Sequence, residues 1–240
     1  MVEKGLAESR EKAKAIIMAG EVMVNGTRAD KPGHTFPDNI EITLKTSSMP
    51  YVSRGGLKLE AAIDHFKIDV KGLVMLDTGA STGGFTDCLL QHGAKKVIAV
   101  DVGYGQMHWR LRNDPRVTVI EKINARNLSP EDINDKPDAA VIDVSFISLK
   151  LIIPPVASLL PEKSFIIALI KPQFEAGKGE VGKGGVVRDN KTHERIIADI
   201  SDFCKNQGLD PVGVIPSPIL GPKGNREFLI YLKRETPPLP

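Results

Sequence analysis

From residue 57 to the end of the chain, short apolar runs alternate with stretches of helical periodicity, and that alternation leaves few folds open. Runs near 73–77, 96–101, 117–121, 139–143, 164–170, 212–216 and 228–232 predict seven strands in one sheet with helices on both faces. The longest helical pattern spans Thr192–Gln207, with Ile196, Ile197, Ile200, Phe203 and Cys204 on one side and Gly208 as its stop. Only a Gly-Pro-Lys-Gly-Asn loop separates the last two strands. It is too short for a parallel crossover, so this pair is expected to be antiparallel. The expected class is α/β, a Rossmann-like, doubly wound sheet.

The first strand runs into a glycine-rich turn, DTGASTGGFTD (77–87), after which Phe85, Cys88 and Leu89 recur at helical spacing until Gly93. Glycines in such a loop permit positive φ and let a ligand meet the backbone. Their spacing is not G-x-G-x-x-G, so the pyrophosphate fingerprint is not met. Asp77 opens the loop, and Asp101 ends the next apolar run, where a carboxylate can accept hydrogen bonds from a ribose diol. An acidic rim suits the cationic sulfonium of S-adenosylmethionine better than a phosphate, although either aspartate could simply cap a helix. Seven strands with an antiparallel last one is also the S-adenosylmethionine-dependent methyltransferase arrangement.

Ligands of open parallel sheets bind beyond the carboxyl ends of the strands. Asp77, Asp101, Asp143 and Lys171 each end an apolar run, and a reversed last strand brings its start, Glu227, to the same edge. Lys58 stands in the helix before the first strand, and the sequence alone does not place it. A lone Lys or Glu is usually only solvated.

Residues 1–48 read differently. Ser9 can cap a helix reaching Gly20, Asn25-Gly26 is a strong hairpin signal, and EITLK (41–45) is a further short strand. This is a small α+β module, followed by a linker-like stretch (49–56) and the larger domain (57–240). Seven basic and seven acidic residues balance within 1–48, so what could follow a phosphate backbone is a local face with Arg10, Lys14 and Arg28. An ordinary solvated helix face fits the same charges. Residues 175–190 read as a mobile loop over the crevice, with Lys178, Lys183 and Arg188 available to RNA phosphates, or as a merely flexible surface loop. GKGEVGKGG within it nearly matches a phosphate-binding loop, but Gly184 stands where Ser or Thr would bind magnesium.

The 240 residues carry 32 basic and 30 acidic side chains, a net charge of +2, so a nucleic-acid partner must be argued from local clusters. Cys88 and Cys204 are far apart on apolar helix faces, which disfavours a disulfide framework or a metal site. No signal peptide is visible, and the longest apolar runs are too short to cross a bilayer. A reducing, cytoplasmic location is expected.

ESREKAKAIIMAGEVMVNG, SRGGLKLE, DTGASTGGFTD, VDVGYGQMHWRLR, INARNL, VIDVSFISL, IKPQFEAGKGEVGKGGVVRD and GNREFLIYL together resemble the TlyA-type, or haemolysin A-like, family over nearly the whole chain. That family joins an S-four-type RNA-binding domain to an FtsJ-like ribosomal RNA 2′-O-methyltransferase domain. The resemblance implies S-adenosylmethionine as cofactor, ribosomal RNA or ribosomal subunits as partner, and cytidine as target. It implies a catalytic tetrad at Lys58, Asp143, Lys171 and Glu227, with Lys171 orienting or deprotonating the hydroxyl, Lys58 fixing it, and the carboxylates tuning both lysines. Cofactor positions fall on Asp77, Gly79, Ala80, Ser81, Gly83, Gly84, Asp101 and Asn124. Family members usually carry a further stretch ahead of Gly5, so the first helix of the RNA-binding module is expected to be truncated. Two other classes compete: a ribosome-binding protein without turnover, and a cytolysin, as the haemolysin label has it.

Overall fold

The computed structural model describes residues 1–7, 9–37, 39–44, 49–177 and 179–234, in two units, Met1–Pro50 and Tyr51–Pro240. In the first, the Ser9 side chain accepts from Lys12 N at 3.2 Å and starts α1 (Arg10–Met18). Asn25 and Gly26, at φ 47° and 76°, fold β1 (Val22–Val24) onto β2 (Thr27–Ala29), as a tight hairpin requires. β3 (Ile42–Leu44) pairs antiparallel with the other edge of β1. Ala13, Ile16, Val22 and Val24 are the buried apolar residues of this small module.

The second unit runs α2 (Gly55–Phe66), β4 (Val74–Thr78), α3 (Gly84–Gln91), β5 (Lys96–Asp101), the single turn α4 (Trp109–Arg112), β6 (Val117–Glu121), β7 (Ala139–Ile142), α5 (Leu149–Ser158), β8 (Ser164–Ile170), the turn α6 (Pro172–Glu175), α7 (Asn190–Asn206), β9 (Asp210–Pro216) and β10 (Phe228–Arg234). Its sheet has the order β6-β5-β4-β7-β8-β10-β9, with β10 antiparallel to both neighbours. Side chains alternate across it with period two. Met75, Val141, Ile167 and Leu169 pack with residues of α2 and α3 on one face, while Leu76, Ile142, Ile166 and Ile170 pack with α5 and α7 on the other. The strand order reverses between β4 and β7, which is where such sheets open a crevice.

Three local features depart from the sequence reading. Tyr51, in the linker-like stretch, is buried, its hydroxyl donates to Glu60 at 2.7 Å, and Val52 N donates to Asp87 at 2.8 Å. These contacts tie the stretch to α2 and α3. α7 begins two residues early because Asp189 caps it, accepting from Thr192 N. The segment 175–190 is pinned at its end: Val186 and Val187 are buried, and Val187 N donates to the buried Asn225. Its near match to a phosphate loop is a turn closed by Gly182 N to Val186 O, with no helix opening behind it.

The glycine loop is held from below. Gly79 and Ala80 both donate their N–H groups to Val100 O, at 2.9 and 3.2 Å. Asp77 is fully buried, and one of its oxygens accepts from Thr86 in α3 at 2.6 Å while the other has no donor. Burial pushes the Asp77 carboxyl up from 3.8 to about 7; the Thr86 hydrogen bond opposes this and the charge of Asp143 adds to it.

Gly83 caps α3 at φ 97°, where a Cβ would lie 2.3 Å from Leu111 Cδ1 and 2.7 Å from Met107 Sδ. Gly83→Ala should therefore cost at least about 1–2 kcal/mol of stability from the left-handed backbone alone, read by urea denaturation. An unchanged midpoint would mean that the loop re-forms around the methyl group. For Asp77, the folded chain holds a proton between about pH 4 and 7 that the unfolded chain has lost, so this group's contribution to stability falls as pH rises through that window. Parental stability minus that of Asp77→Asn should decline by up to about 1.4 kcal/mol per pH unit there and level off above 7. A pH-independent difference would place the Asp77 proton elsewhere.

Candidate active site at the strand ends

Strand register assembles the chemistry. In the parallel pair β4–β7, Thr78 lies opposite Ile142, so Gly79 follows against Asp143; a Cβ on Gly79 would sit 2.6 Å from the Asp143 carbonyl oxygen. In the antiparallel pair β8–β10, Phe228 lies opposite Ile170, so Glu227 arrives beside Lys171. α2 packs against β10 and brings Lys58 to the same place.

The four side chains form two ion pairs. Lys58 Nζ lies 2.6 Å from Glu227 Oε2, and Lys171 Nζ lies 2.5 Å from Asp143 Oδ1 while donating to Ser145 Oγ at 2.8 Å. Lys58, Lys171 and Glu227 are buried, and Asp143 is partly exposed, with 20% of its side chain accessible. Lys171 approaches Asp143 Oδ1 off the line of a hydrogen bond, so that oxygen is charge-paired yet lacks an aligned donor, and Glu227 Oε1 lacks one as well. Each cation is beside a carboxylate that retains acceptor capacity for an incoming hydroxyl or amine.

Two clefts meet over this cluster. One, of about 470 Å³, is lined by Lys58, Asp143, Ser145 and Lys171 together with Ser53, Arg54, Gly84 and Lys223. The other, of about 510 Å³, is lined by Asp101, Asn124, Gln106 and the apolar Val102, Ile123, Ala125 and Ile147. Gly79, Ser81, Asp143 and Ser145 belong to both walls, so the clefts share a seam. The second has no lysine, arginine or histidine on its walls. That donor set fits S-adenosylmethionine: apolar walls for an adenine, carboxylates for a ribose diol and a cationic group, and nothing that would hold a phosphate. Asp101 already accepts from Ser81 N and Gly103 N, both at 2.7 Å, which orients it with lone pairs to spare.

Of the residues expected from sequence, Gly79, Ala80, Ser81, Gly84, Asp101 and Asn124 line one or both clefts, whereas Asp77 and Gly83 line neither and lie behind the loop. Arg10, Lys14 and Arg28 are exposed on the first unit, where the Arg28 guanidinium covers Gly20. Lys183 and Arg188 are exposed in the second. None of these five forms an ion pair among the described residues, and Lys178 lies outside them.

Ser145, Phe146, Arg54 and Lys223 were not singled out from the sequence. Ser145 follows Asp143 by two positions, the spacing that keeps two side chains on one side of extended chain, and could have been found that way. Phe146 carried no such signal. It sits at φ 65°, 90% exposed, on the wall of the second cleft and tilted against Phe174 at 5.0 Å. A bulky aromatic held at positive φ is strained, and strain of this kind gathers at functional sites.

Residues 51–234 match the model of the FtsJ-like methyltransferase family, and residues 1–39 that of the S4 domain. The chain is 46% identical over 237 residues to the 16S/23S rRNA (cytidine-2′-O)-methyltransferase TlyA of Mycobacterium tuberculosis, covering 98% of this chain and 88% of that one. It is 47% identical over 231 residues to Hemolysin A of Brachyspira hyodysenteriae, covering 95% of each. A solved structure from Streptococcus thermophilus superposes with a TM-score of 0.77 at 47% identity, covering 97% of this chain and 86% of that one. A methyltransferase-type sheet, two lysine–carboxylate pairs at its ligand edge and relatives of this similarity leave one assignment: the chain belongs to the FtsJ-like methyltransferase family, with an S4 domain ahead of the catalytic fold.

Proposed function

We propose that the protein uses S-adenosylmethionine to methylate a ribose 2′-hydroxyl in ribosomal RNA, at cytidine. The observation that carries this reading is that Asp143, on the wall shared by a cleft suited to the cofactor and one open to substrate, pairs with Lys171, while Lys58, paired with Glu227, lies on the substrate side with it. The names of the relatives support RNA as the substrate and cytidine as the nucleotide. An enzyme acting on ribosomal RNA works where ribosomes are assembled, so we place it in the cytoplasm. Among the described residues no helix is long and apolar enough to cross a membrane, which leaves the haemolysin label without a spanning segment to support it.

When bound, the cofactor supplies an electrophilic methyl group on a sulfonium. A ribose hydroxyl is a weak nucleophile at neutral pH, and the protein's part is to orient it and take its proton as the oxygen–carbon bond forms. Lys171, at the end of β8, faces both Asp143 and Ser145 and is the residue placed to do so. To accept that proton its nitrogen must first share its own with Asp143. Lys58, held by Glu227, donates to the hydroxyl oxygen and fixes its direction. Ser53, Arg54 and Lys223 on the same wall are placed to hold the rest of the nucleotide.

Lys171→Met replaces the apolar stem but leaves Asp143 without its cation, so it should lose stability, keep cofactor affinity, and, assayed where it is still folded, lower methyl transfer to ribosomal RNA by roughly 10²–10⁴ if proton acceptance is its contribution. Lys171→Arg separates two roles, because guanidinium keeps charge and hydrogen bonding but does not deprotonate. Recovery by Arg in a tritiated-methyl assay would make Lys171 a positioning cation, and parental rates for both variants would remove it from the mechanism.

Arg10, Lys14 and Arg28 form the face of the S4 domain that we assign to RNA docking. Replacing all three by alanine should lower the slope of log affinity against log salt by roughly one for each phosphate that is no longer neutralised, with cofactor affinity unchanged. A parental slope would make this face merely solvated.

A further inference from the structure

Lys223 lines two cavities. One is the catalytic cleft; the other, about 430 Å³, is lined by Val187, Arg188, Asn190, His193, Lys223 and Arg226, with no carboxylate on its walls. Arg188, Lys223 and Arg226 form no ion pair among the described residues, and the hydrogen bond of the Arg226 side chain to Asn190 is long at 3.3 Å. Three cations line one cavity that has no acidic residue on its walls, the electrostatic signature of a site for an anion.

The cavity is built as well as charged. Asn225, 2% exposed, accepts from Val187 N at 3.1 Å and donates to Gly185 O and Pro222 O at 3.0 and 3.1 Å, joining the segment after Gly185 to the loop before β10. His193, also buried, has its Nε2 3.0 Å from Val187 O and its ring against Phe228. The basic side chains therefore project from two segments held at a fixed spacing, and Lys223, at φ 58°, belongs to the rim between this cavity and the catalytic cleft.

We propose that this cavity binds a phosphodiester of the substrate RNA next to the ribose that occupies the catalytic cleft, which deepens and rests on the RNA-methylation reading above. Charge sorts the ligands: the cofactor cleft has no basic side chain and takes a cation, while this cavity has no acidic one and takes the polyanion. Arg188 and Arg226 clamp the phosphate, and Lys223 spans the step from that phosphate to the target sugar. The site thus sets which ribose along the strand stands before Lys171.

The test is a binding measurement on unmodified ribosomal RNA with the full chain, so that it does not depend on turnover. Arg188→Gln and Arg226→Gln should each weaken RNA binding by roughly ten- to hundred-fold, as expected when a charge-assisted hydrogen bond is removed, and lower the salt slope by about one. Cofactor affinity and thermal midpoint should stay parental, which separates the effect from misfolding. Phosphate-ethylation interference on the same RNA should show that one phosphate, required by the parental protein, is no longer required by the Arg226→Gln variant. An unchanged slope together with an unchanged interference pattern would overturn the proposal. A parental protein that binds RNA in this way but transfers no tritiated methyl group would instead overturn the methylation reading and leave the phosphate site standing.

Discussion

Two lysines taken out of water at one sheet edge are tolerable only because each has a carboxylate within 2.6 Å, and much of the unit is arranged to keep those pairs together. Removing one partner from a buried pair leaves an uncompensated charge, typically a loss of about 3–5 kcal/mol. The pairs come from four separate elements: α2, the ends of β7 and β8, and the start of β10. Their meeting depends on the reversal of β10, since a parallel last strand would carry Glu227 to the opposite edge. The architecture that buries the apolar faces of the sheet therefore also sets the chemistry at its rim.

The same edge is sorted by charge. Aspartates and apolar residues line one cleft, three lysines and an arginine line its neighbour, and Asp143 on the wall they share is paired with Lys171. An electrophilic cation and a polyanion can thus approach within bonding distance without competing for one site. The glycine loop makes the seam thin. Gly79 lies so close to the Asp143 backbone that no side chain fits, and Asp77 beneath it ties the strand to the helix that follows.

Much of this was legible in the residues. Short apolar runs between helical patterns, and the short loop before β10, predict seven strands and an antiparallel end because those signals are local, and local hydrogen bonding and burial enforce them. The strand-end residues Asp101, Asp143 and Lys171 were readable for the same reason, since a polar residue that closes an apolar run in a parallel sheet points to the ligand edge. Lys58 was a different case. Its place depends on how α2 lies across β10, a packing decision between elements far apart in the chain, and only the resemblance to a family singled it out beforehand.

What the sequence determined by itself is the order of strands and helices, the glycine turn, and the residue types that reach the ligand edge, because each follows from periodicity or backbone sterics within a few residues. Tertiary structure alone decided that Asp77 and Gly83 lie behind the cofactor loop, that Phe146 stands exposed at positive φ, and that Arg188, Lys223 and Arg226 share one cavity. These are consequences of register and of side chains meeting across distant segments. Such meetings are fixed by the burial of the whole core, which no short stretch of sequence contains.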